Sequence, residues 1–152
     1  MLKIGDKYSF EVSYADRQSC LMFFKEDDSS SWSLDIGFCE GDFGDETVVP
    51  AICINPIDTD KNSVEELVGE RFEVTTVKEC KEREDTFYIY ESEPMVSYEV
   101  EVLEIKDSKA HICCSGIMIV DGYSDPYEEE KFEIDCLLPI IEAASDWAKF
   151  EN

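Results

Sequence analysis

The chain alternates. In KYSFEVSY, Tyr8, Phe10, Val12 and Tyr14 fall on one face and Ser9, Glu11 and Ser13 on the other, the period of a half-buried strand. SWSLDIGF repeats the pattern with Trp32, Leu34, Ile36 and Phe38 inward, and CLMFFK (20–25) is a continuous apolar run that reads as a central strand. VVPAICI (48–54) reads as a strand that Pro50 assigns to an edge or bulge, followed by a turn over NPIDTDKN. RFEVTTVKEC (71–80), DTFYIYES (85–92), SYEVEVLEIK (97–106), KAHICCSGIMIV (109–120) and KFEIDCLL (131–138) complete a set of about nine strands, with Lys106–Lys109 as a tight hairpin turn.

Two segments carry a helical signature. SVEELVG (63–69) has Ser63 as a cap, Glu66 completing a capping box and Gly69 as a stop. After Pro139, residues 140–150 place Ile140, Ile141, Ala144, Trp147 and Ala148 at helical spacing. The expected fold is therefore α+β: a predominantly antiparallel sheet, a sandwich or partly open barrel, with short helices near 63–69 and 140–150. No linker interrupts the pattern, so residues 1–152 are expected to form a single domain. IGDKYSFEV and LVGERFEV look alike, but a glycine followed by charges is an ordinary entrance to a strand.

Charge changes this picture most. The chain has 37 acidic and 13 basic residues, a net of −24. Residues 1–76 contribute 17 acids and 6 bases (−11), and residues 77–152 contribute 20 and 7 (−13), so the charge is spread over the fold rather than held in a tail. Contacts with nucleic acid or anionic membranes are disfavoured, because both depend on Lys and Arg. A cationic protein is the favoured partner. The sequence has no run long enough to span a bilayer, and its start, MLKIGDKYSFEV, lacks a signal peptide's apolar stretch. Seven scattered cysteines, an odd number, fit reduced thiols and a cytoplasmic setting.

Catalytic constellations are weak. His111 and Cys113 share a strand face, but residues i and i+2 lie about 7 Å apart, too far for direct proton transfer. Cysteine spacing does not match zinc, and the acidic loops do not match a calcium loop, so neither cofactor nor metal is expected. Glu99/Glu101 and Glu133/Asp135 alternate opposite apolar residues, as on a solvated sheet face. An enzyme is not expected. The remaining signal is acid mixed with aromatics in two loops, EGDFGDE and DGYSDPYEEE. These supply the candidate partner contacts Glu40, Asp42, Phe43, Asp45 and Glu46, together with Asp121, Tyr123, Asp125, Tyr127, Glu128, Glu129 and Glu130.

The stretch from VEELVGERFEVTTVKECKEREDTFYIYESEP through SYEVEVLEIK to DGYSDPYEEEKFEIDCLLPIIE resembles, in character, the small acidic immunity proteins of bacterial polymorphic-toxin and contact-dependent inhibition systems. The resemblance covers about 80 residues, carries no diagnostic motif and implies no particular fold. It implies that the chain neutralises a cationic toxin, often a nuclease, by direct binding. The alternatives are another acidic binding module, such as a DNA mimic or an assembly subunit, and a metal-dependent or thiol enzyme.

Overall fold

A computed structural model describes residues 1–15, 19–123 and 126–149. Twelve strands form one mixed, open sheet, and two more form a separate hairpin. Strands β1 (Leu2–Ile4), β2 (Tyr8–Phe10), β9 (Arg71–Val74), β12 (Ser97–Lys106), β13 (Lys109–Asp121) and β14 (Glu128–Ile141) make one half of the sheet. Strands β3 (Val12–Ser13), β4 (Cys20–Lys25), β5 (Ser30–Phe38), β8 (Ala51–Thr59), β10 (Thr86–Tyr88) and β11 (Ser92–Glu93) make the other.

The halves meet where the end of β14 runs parallel to β4, pairing Ile140 with Leu21 and Ile141 with Met22. All other ladders are antiparallel. The sheet curls, so that Phe87 of β10 meets Phe132 of β14 at 5.0 Å although the two strands lie four places apart in the sheet. The core fills this curl. Trp32, Phe38, Phe87, Leu2, Ile4 and Leu34 are among its largest fully buried side chains.

The strand predicted over 8–14 divides at Glu11. Before it, β2 pairs with β1; after it, β3 pairs with β5, while Cys39 N–H donates to the Glu11 carbonyl at 2.8 Å. One alternating run thus serves both halves. Pro50 lies between β7 (Glu46–Val48) and β8 rather than inside a strand. Nor does NPIDTDKN turn the chain: β8 continues to Thr59. The ladder pairs Trp32 with Ile57 but Leu34 with Ile54, so Asn55 and Pro56 bulge opposite Ser33. A residue without an N–H is tolerated at such a bulge.

Both helix expectations require correction. Over 63–69 there is a single 3-10 run, Val64–Leu67, in which the Ser63 side chain makes no cap bond; the Glu66 carboxylate accepts from Asn62 N–H instead. The true helix is α1, Val77–Arg83, which begins inside the segment read as strand 71–80 and runs three residues past its end, while only Arg71–Val74 of that segment is strand. Its cap is Thr76, whose hydroxyl accepts from Glu79 N–H at 3.1 Å. It stops at Glu84, which takes a left-handed conformation (φ 61°). The helix expected over 140–150 is absent across the described part of that range. Ile140 and Ile141 are buried in β14, and the Asp146 carboxylate takes Glu142 N–H and Ala143 N–H to begin a 3-10 run, Ala144–Lys149.

A buried polar knot locks α1 into the sheet. Asp85 is fully buried. Its carboxylate accepts from Arg83 Nε at 2.8 Å, from Asn55 N–H at 2.8 Å and from the Tyr98 hydroxyl. Asn55 Nδ2 donates back to the carbonyls of Arg83 (3.0 Å) and Glu84 (2.8 Å), and the Arg83 guanidinium donates to the Asn55 carbonyl at 2.6 Å. Arg83 also stacks over Phe72, 4.6 Å from the ring centre. The bulge in β8 is what presents Asn55 to this knot.

Two outcomes follow for stability. Asp85→Ala leaves the Arg83 guanidinium, the Tyr98 hydroxyl and Asn55 N–H without their acceptor, and urea unfolding should show a loss of about 3–5 kcal/mol. The turn Asp107–Ser108 has positive φ at both residues (54° and 62°), the geometry that Asn-Gly adopts at least cost. Asp107→Asn with Ser108→Gly should therefore stabilise the chain by about 1 kcal/mol, raising the melting temperature by about 2–4 °C. No gain, or a loss, would contradict this account of the turn.

Candidate functional site

The first acidic loop is a hairpin, which corrects its reading as a plain loop. Strands β6 (Gly41–Phe43) and β7 pair Gly41 with Val48, Asp42 with Thr47 and Phe43 with Glu46. Gly44 (φ 64°) opens the two-residue turn and no atom lies near its missing Cβ, so Gly44 is required for backbone geometry and not for space. Glu40, Asp42, Asp45 and Glu46 are exposed, while Phe43 is half-buried. Phe43 anchors the hairpin by packing on Tyr8 at 4.7 Å and edge-on to Tyr90 at 6.0 Å.

The second loop leaves β13 at Asp121 and returns at Glu128, its partner across the ladder. Asp121 accepts from Tyr123 N–H at 2.9 Å, a short Asx-type turn. Tyr123 is 83% exposed; Tyr127, Glu128, Glu129 and Glu130 are also exposed. Asp125 lies outside the described residues.

A third segment, not singled out in the sequence, joins these two loops. Residues 85–92, read as one strand, are β10, a bend over 89–91 and β11. This short hairpin is the sheet's last member, and its tip carries Tyr90 and Glu91. Tyr90 touches Phe43 of the first loop. On the other side, the Tyr123 hydroxyl reaches Glu91 Oε1 at 3.5 Å, and the Glu93 carboxylate lies over Gly122, where a Cβ would sit only 2.7 Å from it. Burial raises the Tyr90 phenol above its ordinary pKa, and the charges of Glu46, Tyr8 and Glu128 push it further. For Tyr123 the hydrogen bond to Glu91 is the main cause of a raised value, followed by that carboxylate's charge. The two predicted loops therefore converge on one tyrosine-bearing acidic rim, with the tip at 90–93 between them.

Glu130 faces elsewhere. Its carboxylate lies against Gly5, where an added Cβ would sit 3.2 Å away, in a groove of about 850 Å3 beside the rim. Tyr8 and Phe43 line this groove, as do Lys3, Lys7 and Lys131 opposite Asp6, Glu130 and Glu133. Three positive and three negative side chains make it locally neutral on a strongly anionic protein. The rim is therefore the part of this end that attracts cations.

The outer sheet face gathers the paired acids seen in the sequence. Glu73, Glu99, Ser115, Glu133 and Lys3 form one cross-strand row, and Arg71, Glu101, Cys113 and Asp135 the next. Arg71 pairs with Glu99. His111 Nε2 lies 2.7 Å from Asp135 Oδ1. Burial, followed by the charges of Asp135, Glu133 and Glu101, raises the Cys113 thiol, the reverse of what activates a nucleophile. Among the described residues no group of three His, Cys, Asp or Glu side chains is placed to hold a metal ion, and no helix is long and apolar enough to cross a membrane. No protein-family model, curated protein or solved structure matches this chain.

All seven cysteines are free thiols. Burial, reinforced by the Asp35 charge, pushes Cys20 and Cys53 from 9.0 up to about 12. Cys136 also rises to about 12, mainly through burial, against a lowering by the N-terminal ammonium. Above pH 9 the unfolded chain gives up these protons first, so it binds fewer protons than the folded chain and stability falls as pH rises. Denaturation midpoints should decline between pH 9 and about 12, and Cys136→Ala should make the decline shallower. A flat profile over that window would contradict the burial of these thiols.

Proposed function

We propose that this protein captures a cationic protein partner, acting as an immunity-type inhibitor of a basic toxin domain, with the rim around Tyr90 as its docking surface. One observation carries the reading: the tip at 90–93 draws two separate acidic loops into a single surface that combines rigid tyrosines with carboxylates. Tyrosine gives contact area at low entropic cost, and adjacent carboxylates pair with Lys and Arg. In such an inhibitor, carboxylates occupy the positions that phosphates take in a nuclease's cleft. No chemistry on the partner is required of this chain.

A second reading rests on the outer sheet face. Glu73 and Glu99 are direct cross-strand neighbours, a like-charge pairing that Arg71 relieves on the Glu99 side through its ion pair. A DNA mimic would use that face, and would compete for many DNA-binding proteins rather than for one.

Pull-down from the native host at low salt, followed by titration of the captured complex with salt, separates these readings. The first predicts one basic partner whose association slows by about tenfold or more when salt rises well above physiological strength. It also predicts a comparable slowing on Glu91→Gln/Glu93→Gln/Glu128→Gln, with Glu73→Gln/Glu99→Gln having little effect. Affinity indifferent to ionic strength would overturn both readings.

A further inference from the structure

We infer that the rim is built around an arginine anchor: the ring of Tyr90, backed by Phe43 and Tyr8, receives a guanidinium from the partner, and Glu46 and Glu128 flank it as acceptors. The inference rests on the reading of this rim as a docking surface for a cationic protein, and it names the side chain that surface selects.

Three rings run in series from the interior to the surface. Half-buried Tyr8 packs on Phe43, and Phe43 meets Tyr90 edge-on, with an interplanar angle of 66°. Tyr90 is the outermost and is 41% exposed. Phe43 holds the ring and much of it remains exposed, so a planar cation stacking there would order little that is not already ordered. Glu46 is fixed relative to this stack because it is Phe43's partner across the hairpin turn. Glu128 is fixed by its pairing with Asp121 at the root of the second loop. Directly opposite residues of a ladder project from the same face, so Glu46 stands beside Phe43 and the stack it supports. The charges of Glu46 and Glu128, after burial, add to the rise of the Tyr90 phenol. Among the described residues no Lys or Arg of the chain forms an ion pair with Glu46 or Glu128.

Arginine fits this arrangement better than lysine. A guanidinium is planar and weakly hydrated, so it stacks on an aromatic face while forking to a carboxylate; an ammonium keeps its water and offers only a point charge. The fold already uses this pairing internally, where Arg83 lies over Phe72 and bonds Asp85.

The test uses the full chain with two synthetic peptides of equal length and charge, nona-arginine and nona-lysine, titrated calorimetrically at physiological salt. The arginine peptide should bind about tenfold more tightly. Tyr90→Leu should bring it down to the lysine peptide's level while hardly changing the latter. Tyr90→Phe should retain the preference, and Glu46→Gln/Glu128→Gln should reduce it even if Tyr90→Leu proves unstable in a thermal melt. Equal affinity for the two peptides, or a preference that survives both Tyr90→Leu and Glu46→Gln/Glu128→Gln, overturns the anchor. The two readings fail separately. Salt-sensitive binding of both peptides without preference removes the anchor and keeps the cationic partner, whereas salt-insensitive binding or none at all removes both.

Discussion

The buried carboxylate of Asp85 is the constraint on which the arrangement depends. A fully buried carboxylate is tolerated only when donors replace the water it has lost, and Arg83, Tyr98 and Asn55 supply them from three separate elements. In doing so they fix the end of α1 against the bulge of β8 and the start of β12. Strand β10 begins at the next residue. The position of the hairpin tip at Tyr90, and with it the rim, follows from how Asp85 is held. Cys80 extends the same knot: its thiol donates to the Asp85 carbonyl and accepts from Met95 N–H at 3.1 Å, tying down the chain on the far side of the hairpin.

Much of the sheet was legible because its strands have one wet face. Strand β12 coincides with the alternating run 97–106, and in β14 Phe132, Ile134, Cys136 and Leu138 point inward, as the period of two requires. What escaped was partner choice. Alternation does not reveal that β2 and β3 belong to different halves, or that β14 exchanges β1 for β4 near its end. Pro139 there looked like a helix start, yet it sits within β14, between the stretch paired to β1 and the stretch paired to β4. Thr76-x-x-Glu79 is a capping box as good as Ser63-x-x-Glu66, but it was hidden inside an apparently continuous strand pattern. The two acidic loops were legible from composition. Their convergence was not, because Tyr90 and Glu91 occupy a hairpin tip that alternation had absorbed into a strand.

The charge of −24 resolves into distinct surfaces. One is the rim, where aromatic rings and carboxylates mix. A second is the outer face of the sheet, where carboxylates stand in rows with little aromatic content. Between them the groove at Lys3, Lys7 and Lys131 balances its own charge. Surfaces that differ this much have different uses: a charge row attracts a basic protein from a distance, whereas rings held in place determine which side chain stays.

The parallel junction of β14 with β4 also bears on how the chain reaches this state. The two halves of the sheet are joined there by only two residue pairs, Ile140 with Leu21 and Ile141 with Met22. Bringing those residues together closes a loop from Leu21 to Ile140, most of the chain, an entropic cost that neighbouring hairpins such as β12–β13 do not bear. On loop-closure grounds the hairpins are expected to form before this seam, and until it closes the β4 edge at Leu21 and Met22 is uncovered. In that interval a net charge of −24 disfavours association of half-formed molecules through the uncovered strand.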